Sequence, residues 1–128
     1  MNKQIDNNST KDEILDFVSS HLKQKDMWEQ RALSMVTPVI DAMLSLRDDD
    51  LIDVSPNEIS EFIKLNRVIY LSDETKFPNL PSEKRKSVSR YLETLPGYKK
   101  ELGHNQPQTT IEHHGYLEMQ LSKVLQAD

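Results

Sequence analysis

Cysteine is absent from the sequence, and so are long apolar runs. Without cysteine the chain cannot form disulfides, thiolate nucleophiles, cysteine-ligated zinc sites or iron–sulfur clusters. No apolar run approaches the roughly 20 residues that a membrane-spanning helix requires. The first ten residues, MNKQIDNNST, also lack the basic and then apolar order of a secretory signal. These absences predict a soluble chain and are compatible with a reducing, cytosolic setting.

Glycine is scarce, with three residues in 128, and the glycine-rich signatures of common enzymes are missing. The sequence contains no G-x-x-x-x-G-K-[ST] or G-x-G-x-x-G phosphate loop, no G-x-S-x-G nucleophile turn and no H-E-x-x-H zinc motif. We therefore expect no catalytic residues and no cofactor. The net charge of −5 also disfavours general binding of nucleic acid or anionic lipid, unless basic residues cluster locally.

The residues that are present favour an all-α fold. Apolar residues recur at steps of three and four, which is the period of an amphipathic helix, whereas runs of β-branched residues are few. Four segments carry a helix-start signal, in which a capping side chain is followed three residues later by glutamate. These signals begin at Thr10, Asp26, Ser55 and Thr109. We predict a single compact bundle of about six helices over residues 10–128, after a disordered segment at residues 1–9.

The first two helices are predicted at about residues 11–24 and from Met27 onward. Pro38 is expected to kink the second helix, because proline lacks an N–H and crowds the preceding turn. The second helix also has the longest apolar stripe. Its predicted buried residues are Trp28, Ala32, Met35, Val36, Val39, Ile40, Met43, Leu44 and Leu46.

The later helices are bounded by proline and glycine. One is predicted to begin at Pro56 and another to cover residues 66–72. A further helix is predicted from Ser82 to a stop at Pro96 and Gly97, with Val88, Tyr91, Leu92 and Leu95 facing inward. Residues 98–108 lack periodicity and predict a mobile surface loop before the last helix.

Two polar clusters raise the question of a metal site. Glu112, His113 and His114, together with His104, offer ligand types for zinc, but neighbours on a helix point about 100° apart and rarely bind one ion. A structural or interfacial role is favoured for them. The acidic run Asp48, Asp49, Asp50 and Asp53 lacks the glycine and the final glutamate of a calcium-binding EF-hand loop, and predicts a solvated loop. We therefore predict no metal.

Six of the 16 basic residues fall in one short stretch: Lys84, Arg85, Lys86, Arg90, Lys99 and Lys100. This cluster is consistent with a surface for phosphates or an acidic partner, or with an ordinary solvated helix face in which glutamates are interleaved. Tyr98 lies beside the two lysines at 99 and 100. It is placed to stack on a base, to anchor a protein partner, or to pack against the preceding helix.

Three segments, in this order, carry a family resemblance: WEQRALSMVTPVIDAMLSLRD, LPSEKRKSVSRYLETLPGY and IEHHGYLEMQLSKVL. They resemble the RAL helix, the YL-x-x-LPGY helix end and the HGY-x-x-MQ helix of the all-α domain of type IV coupling proteins. These are the FtsK-like hexameric ATPases of conjugation and type IV secretion, and the likeness is to the DotL or type IVB branch. The resemblance covers about residues 10–126.

The resemblance implies a domain inserted in a motor domain, between segments that carry the Walker A and Walker B motifs. Both motifs are absent here, so we expect this chain not to be an enzyme and the parent protein to be an ATPase. The resemblance further implies a cytoplasmic domain without membrane insertion, in a parent protein anchored in the bacterial inner membrane.

For function, the resemblance implies recognition of DNA, a relaxase complex or protein substrates at the cytosolic mouth of the motor. The alternative is a structural or adaptor-docking domain that contacts subunits or accessory proteins and no substrate. The candidate contact residues are Lys84, Arg85, Lys86, Arg90, Tyr98, Lys99 and Lys100.

The resemblance also implies a structural motif, with the members Trp28, Pro96, Gly97, His114, Gly115 and Tyr116. His114, Gly115 and Tyr116 match the family's HGY. Glycine inside a helix costs about 1 kcal/mol relative to alanine. We therefore expect another backbone segment, such as the LPGY turn, to pass close to Gly115.

Overall fold

Six α-helices and one short 3-10 helix form the secondary structure of the computed structural model, which describes residues 5–22 and 26–125. The helices are α1 (Lys11–His21), α2 (Met27–Asp48), α3 (Pro56–Phe62), α4 (Leu65–Leu71), α5 (Ser82–Glu93) and α6 (Gln108–Leu125), with the 3-10 helix at Lys100–Leu102. No strand occurs in these residues. The all-α prediction is confirmed. The predicted end of the first helix at residue 24 falls outside the described part, and α1 ends at His21.

Three of the four predicted helix starts have the expected hydrogen bonds. The Thr10 hydroxyl accepts from the Glu13 backbone N–H at 3.1 Å, and the Glu13 carboxylate accepts from the Thr10 N–H at 2.9 Å. Asp26 and Ser55 likewise accept from the backbone N–H three residues ahead. Each side chain satisfies an N–H that has no partner within its helix.

The fourth predicted start, at Thr109, is wrong. The helix α6 begins at Gln108, and the Ile111 N–H donates to the Pro107 carbonyl at 3.1 Å. Thr109 is therefore already inside the helix. The Glu112 carboxylate accepts from the Gln108 side chain at 3.1 Å instead of closing a capping box.

The core forms around α2, which packs against α1, α5 and α6. Every residue of its predicted apolar stripe is buried except Trp28, which is 38% exposed. The prediction that Trp28 belongs to the core is wrong, because Trp28 lies in the first turn of α2 and its ring rests on the outside of α6. The inward residues predicted for α5, which are Val88, Tyr91, Leu92 and Leu95, are all buried.

The helix α2 continues across Pro38 as one element. Proline has no N–H, so the carbonyl of Ser34, four residues earlier, lacks its usual intrahelical donor. The hydroxyl of the adjacent Thr37 donates to the Leu33 carbonyl at 2.7 Å. Pro38 therefore leaves the Ser34 carbonyl without this donor, on a side of α2 where Ser34 is exposed and Thr37, Pro38 and Asp41 are partly exposed.

Two segments predicted to be irregular are held by specific contacts. Within residues 5–9, Ile5 is buried and the Arg47 side chain donates to the Ser9 carbonyl at 2.6 Å. These contacts join residues 5–9 to the bundle, while residues 1–4 lie outside the described part. In the loop over residues 98–108, the buried Gln106 side chain bonds both the N–H and the carbonyl of Lys99. This pair of hydrogen bonds closes the loop on itself.

Within residues 5–22 and 26–125, no helix combines the length and the apolar character required to cross a membrane.

Candidate binding groove and aromatic patch

The basic residues predicted as one cluster lie on two different sides of α5. Ser87, Arg90, Tyr91 and Thr94 face a groove shared with α2, and Lys84 reaches the same side. Ser82, Arg85, Lys86 and Ser89 face a second cleft. Each set recurs at steps of three and four, so each forms its own stripe on the helix. The sequence cluster is therefore not one continuous basic surface.

The larger cavity, of about 890 Å³, lies between α2 and α5, and we call it the α2–α5 groove. Its lining comes from α2, α5 and the turn after it, the start of α1 and α6, and it combines polar and apolar surface in similar amounts. The lining residues are Lys11, Arg31, Ser34, Thr37, Pro38, Asp41, Ser87, Arg90, Tyr91, Thr94, Pro96 and His113. Such a set of hydroxyls and charges can hold a polar, extended ligand.

Cations outnumber carboxylates in the α2–α5 groove. Asp41 is the only carboxylate among its lining residues, and it pairs with Lys84 at 2.9 Å and with Lys11 at 3.5 Å. Arg31 and Arg90 make no ion pair with any described carboxylate, and both are exposed. One acid is thus already shared by two lysines, while two guanidinium groups remain available to an incoming anion.

An exposed aromatic patch adjoins one end of the groove. Its members are Trp28, His113 and Tyr116, whose ring centroids lie 5.2 Å (Trp28 to His113) and 5.6 Å (Trp28 to Tyr116) apart. The Arg31 guanidinium lies 5.6 Å from the centroid of the Trp28 ring, in a cation–π contact. Tyr116 is 55% exposed, and Met27 beside Trp28 in sequence is 62% exposed. Because His113 belongs to both features and Arg31 of the groove contacts Trp28 of the patch, groove and patch form one surface.

The surroundings of His113 at this junction disfavour its charged form. Partial burial, and next the nearby Arg31 charge, lower the pKa of the His113 imidazole below its usual value. The arginines and lysines supply the permanent positive charges of the surface, and His113 contributes a flat aromatic ring.

The second cleft, of about 490 Å³, carries charges of both signs. Lys86 and Lys100 face it together with Asp73 and Glu74. Arg85 has a structural role, since its guanidinium donates to the carbonyls of Phe77 and Leu80 at 3.2 and 3.0 Å. The mixture of charges makes this cleft a weaker candidate for anion binding than the α2–α5 groove.

Two further predicted contact residues are placed apart from the groove. Tyr98 lines the second cleft, is half-buried and packs against the core. Burial, followed by the charges of Glu93 and Glu101, raises the pKa of the Tyr98 hydroxyl. Lys99 is exposed and lines neither cavity.

The three histidines considered as metal ligands lie in three separate parts of the structure. His104 meets the edge of Tyr70, His113 lies on Trp28, and His114 is buried in the core. Within residues 5–22 and 26–125, no group of three or more ligand side chains is placed to hold a metal ion.

His114 joins three helical segments. Its Nδ1 lies 2.7 Å from the Tyr91 hydroxyl, and its Nε2 lies 2.6 Å from the Ile63 carbonyl at the end of α3. Burial lowers the pKa of His114, although the bond to Ile63 acts in the opposite direction. The resemblance predicts a packing role for His114, and the ring is buried between these segments.

The expectation of a backbone segment close to Gly115 is wrong. Apart from the neighbouring residues and backbone of α6 itself, no described atom lies within 4 Å of the position that a Cβ on Gly115 would take, and the residue is exposed. The turn with Pro96 and Gly97 instead contacts the start of α6. There the Thr110 hydroxyl donates to the Pro96 carbonyl at 2.6 Å and lies 3.1 Å from a Cβ built on Gly97.

The sequence prediction missed Lys11, Arg31 and Asp41, although a signal was present. Arg31, Ser34, Thr37 and Asp41 repeat at steps of three and four along α2, opposite its apolar stripe. A polar stripe of this kind on the longest helix of a bundle, with matching hydroxyls on α5, indicates a shared groove. The pairing of α2 with α5 was required to recognise it.

Comparison with known proteins identifies one relevant similarity. The chain is 30% identical over 106 residues to the Type 4 coupling protein DotL of Legionella pneumophila. The match covers 75% of this chain and 14% of the length of DotL. No protein-family model and no solved structure matches the chain. The similarity supports a relationship with type IV coupling proteins, in agreement with the resemblance inferred from the three sequence segments.

Proposed function

We propose that this chain is the substrate-recognition domain of a type IV coupling protein of conjugation or type IV secretion. In this proposal the all-α bundle is inserted in the motor domain of an FtsK-like hexameric ATPase, anchored in the bacterial inner membrane. The bundle lies at the cytosolic mouth, where it binds DNA, a relaxase complex or protein substrates before transport. ATP hydrolysis belongs to the motor, and this chain contributes recognition.

The observation that carries the proposal is the 30% identity to the Type 4 coupling protein DotL across 75% of the chain. The character of the surface supports it, since the α2–α5 groove presents arginines without carboxylate partners beside exposed aromatic rings. Concave surfaces with a few charged groups and adjacent aromatic side chains are typical of recognition sites.

A second candidate function is a structural or adaptor-docking role in the same machine. The exposed Trp28, Tyr116 and Met27 favour it, because apolar and aromatic groups that remain on a surface commonly mark contacts with another protein. In that case the domain contacts neighbouring subunits or an accessory protein and makes no contact with substrate.

Replacement of residues 10–125 by a flexible glycine–serine linker in the parent protein tests both functions. Transfer of plasmid DNA, secretion of protein substrates and assembly of the motor are measured in the same strain. Normal assembly with loss of transfer or secretion is expected for substrate recognition. Loss of assembly favours the structural alternative, and retention of all three activities contradicts both.

A further inference from the structure

We propose that the α2–α5 groove receives an extended acidic segment of a protein substrate, with Arg31 and Arg90 on its carboxylates and the aromatic patch on an adjacent apolar side chain. This inference rests on the proposed function and names the ligand chemistry of its recognition surface.

The charges of the groove suit a small number of carboxylates. Arg31 and Arg90 are exposed and have no described acidic partner. A guanidinium group binds a carboxylate through two parallel hydrogen bonds, which gives both affinity and a fixed geometry. Since the single lining carboxylate, Asp41, is occupied by Lys84 and Lys11, it does not compete for the arginines.

The length of the groove fits an extended peptide. Its lining on α2 runs from Arg31 to Asp41, ten positions along the helix, or about 15 Å at the rise of an α-helix. An extended chain of about four or five residues covers this distance. A segment of that length offers two or three acidic side chains to the groove, which matches the two free arginines.

The acceptors in the groove favour a peptide over a nucleic acid. The Ser34 carbonyl lacks the donor that it would usually have within the helix, because residue 38 is proline. Peptide N–H groups can donate to this carbonyl, whereas the phosphates of a nucleic acid backbone only accept. Nucleic acid would also place a phosphate at every nucleotide against a chain whose net charge is −5. Two free guanidinium groups beside a carboxylate do not provide a cation for each of these phosphates.

The aromatic patch supplies the apolar part of the site. The Arg31 guanidinium lies over the Trp28 ring and also lines the groove, so the charged and aromatic contacts are adjacent. A ligand residue that reaches Trp28 and Tyr116 would cover apolar surface that is now exposed to water. We therefore expect the best ligand to combine glutamates or aspartates with a neighbouring phenylalanine or leucine.

The chain contains a single tryptophan, Trp28, so its intrinsic fluorescence reports directly on this surface. The probe is a short peptide of glutamates with one phenylalanine, titrated at low and at high salt. The comparison ligands are the same peptide with glutamine at every glutamate, and a single-stranded DNA of similar length. We expect the glutamate peptide to change the Trp28 emission, to bind more tightly than both comparison ligands, and to weaken at high salt.

Variants locate the binding on the groove. Arg31→Gln and Arg90→Gln are each expected to weaken the glutamate peptide by about tenfold or more, as is typical for loss of a charged hydrogen-bonding partner. Ser87→Glu places a carboxylate in the groove and should weaken binding similarly without removing an arginine. Lys86→Gln is the matched control, because it removes one charge from the same helix but faces the second cleft. Circular dichroism checks that each variant is folded.

Three results would overturn the inference: no binding of the glutamate peptide at low salt, equal binding by the Arg31→Gln and Arg90→Gln variants, or tighter binding of the DNA at this groove. The outcome of the linker replacement of residues 10–125 is independent of these three results. If that replacement abolishes transfer while the peptide fails to bind, the proposed function stands and the assignment of its ligand is wrong.

Discussion

The hydroxyl of Tyr91 on α5 donates a hydrogen bond to Nδ1 of His114 on α6, with the two atoms 2.7 Å apart. The direction follows from the other ring nitrogen. The Ile63 carbonyl can only accept, so the Nε2 that faces it at 2.6 Å carries the hydrogen. In the neutral ring Nδ1 is then the acceptor. Both nitrogens of a fully buried imidazole are satisfied, and α3, α5 and α6 are joined at one point.

Replacement of Tyr91 by phenylalanine tests this junction. Tyr91→Phe keeps the ring but leaves the buried Nδ1 without a donor, and an unsatisfied buried polar atom costs about 1–3 kcal/mol. We expect the free energy of unfolding, measured with urea, to fall by this amount. Tyr70→Phe is the control, because the Tyr70 hydroxyl makes no hydrogen bond with the described residues. Equal stability of the two variants would contradict the role assigned to Tyr91.

His114 also predicts how the stability depends on pH. Burial lowers the pKa of folded His114, so the unfolded chain, in which the pKa is about 6.5, takes up the proton first. The contribution of neutral His114 is therefore complete above about pH 6.5 and is lost progressively as the pH falls below that value. We expect wild-type stability to decline over this range, and His114→Gln, which cannot titrate, to decline less.

Nearby titratable groups define the controls for that experiment. Burial raises the pKa of Glu118 on α6, so protonation of Glu118 stabilises the folded state on acidification and opposes His114. Glu118 is present in both proteins, and the difference between wild type and His114→Gln separates the two effects. His113→Gln should change the pH profile less, since His113 is only partly buried. The same acid dependence in wild type and His114→Gln would refute the assignment.

The extent to which the sequence predicts this protein depends on the range of each contact. The caps at Thr10, Asp26 and Ser55 were predictable because donor and acceptor are three residues apart in the chain. The buried face of α2 was predictable because periodicity reports which side of a helix is apolar. These local rules do not depend on how the helices are arranged.

Apart from the helix start at Thr109, the predictions that failed depend on which helices meet. The first turn of α2 crosses the outer side of α6, so Trp28 remains on the surface although its spacing matches the core stripe. The basic cluster looks continuous in sequence, yet α5 divides it between two cavities. Another backbone segment was expected to pass close to Gly115, whereas the space around the position of its Cβ is free. Each of these outcomes requires the packing partner, which the sequence alone does not specify.

The two glycines of the HGY and LPGY motifs should respond to alanine in opposite directions. Gly115→Ala should raise the free energy of unfolding by up to about 1 kcal/mol, because Gly115 lies inside α6 with space for a Cβ. Gly97→Ala should lower it by about 1–2 kcal/mol, since Gly97 has a φ of +76° that L-residues disfavour. Thermal or urea unfolding of the two variants side by side measures both signs. Destabilisation by Gly115→Ala would show that the helix interior is less open than described.

Trp28 should contribute more to binding than to stability. Met35 lies in the core of α2 and Trp28 on its surface, with relative exposures of 0% and 38%. Met35→Ala is expected to cost about 2–5 kcal/mol, as is usual for a large buried side chain. Trp28→Ala should cost clearly less and should weaken the glutamate–phenylalanine peptide, measured by calorimetry because the fluorescent reporter is lost. A larger loss of stability for Trp28→Ala than for Met35→Ala would mean that Trp28 is a core residue.

Asp41 is the only carboxylate among the lining residues of the groove, so its removal should change how the groove binds anions. Asp41→Asn eliminates the only carboxylate of the lining and frees Lys84 and Lys11 for an incoming anion. We expect tighter binding of the glutamate peptide with a steeper dependence on salt, because two more cations then contact the ligand. Stability should change by about 1 kcal/mol or less, since these pairs are partly exposed to solvent. Asp73→Asn, in the second cleft, is the control, and it should leave peptide affinity unchanged. Weaker binding by Asp41→Asn would mean that Asp41 holds a donor of the ligand, so that the lysines are not the limiting contacts.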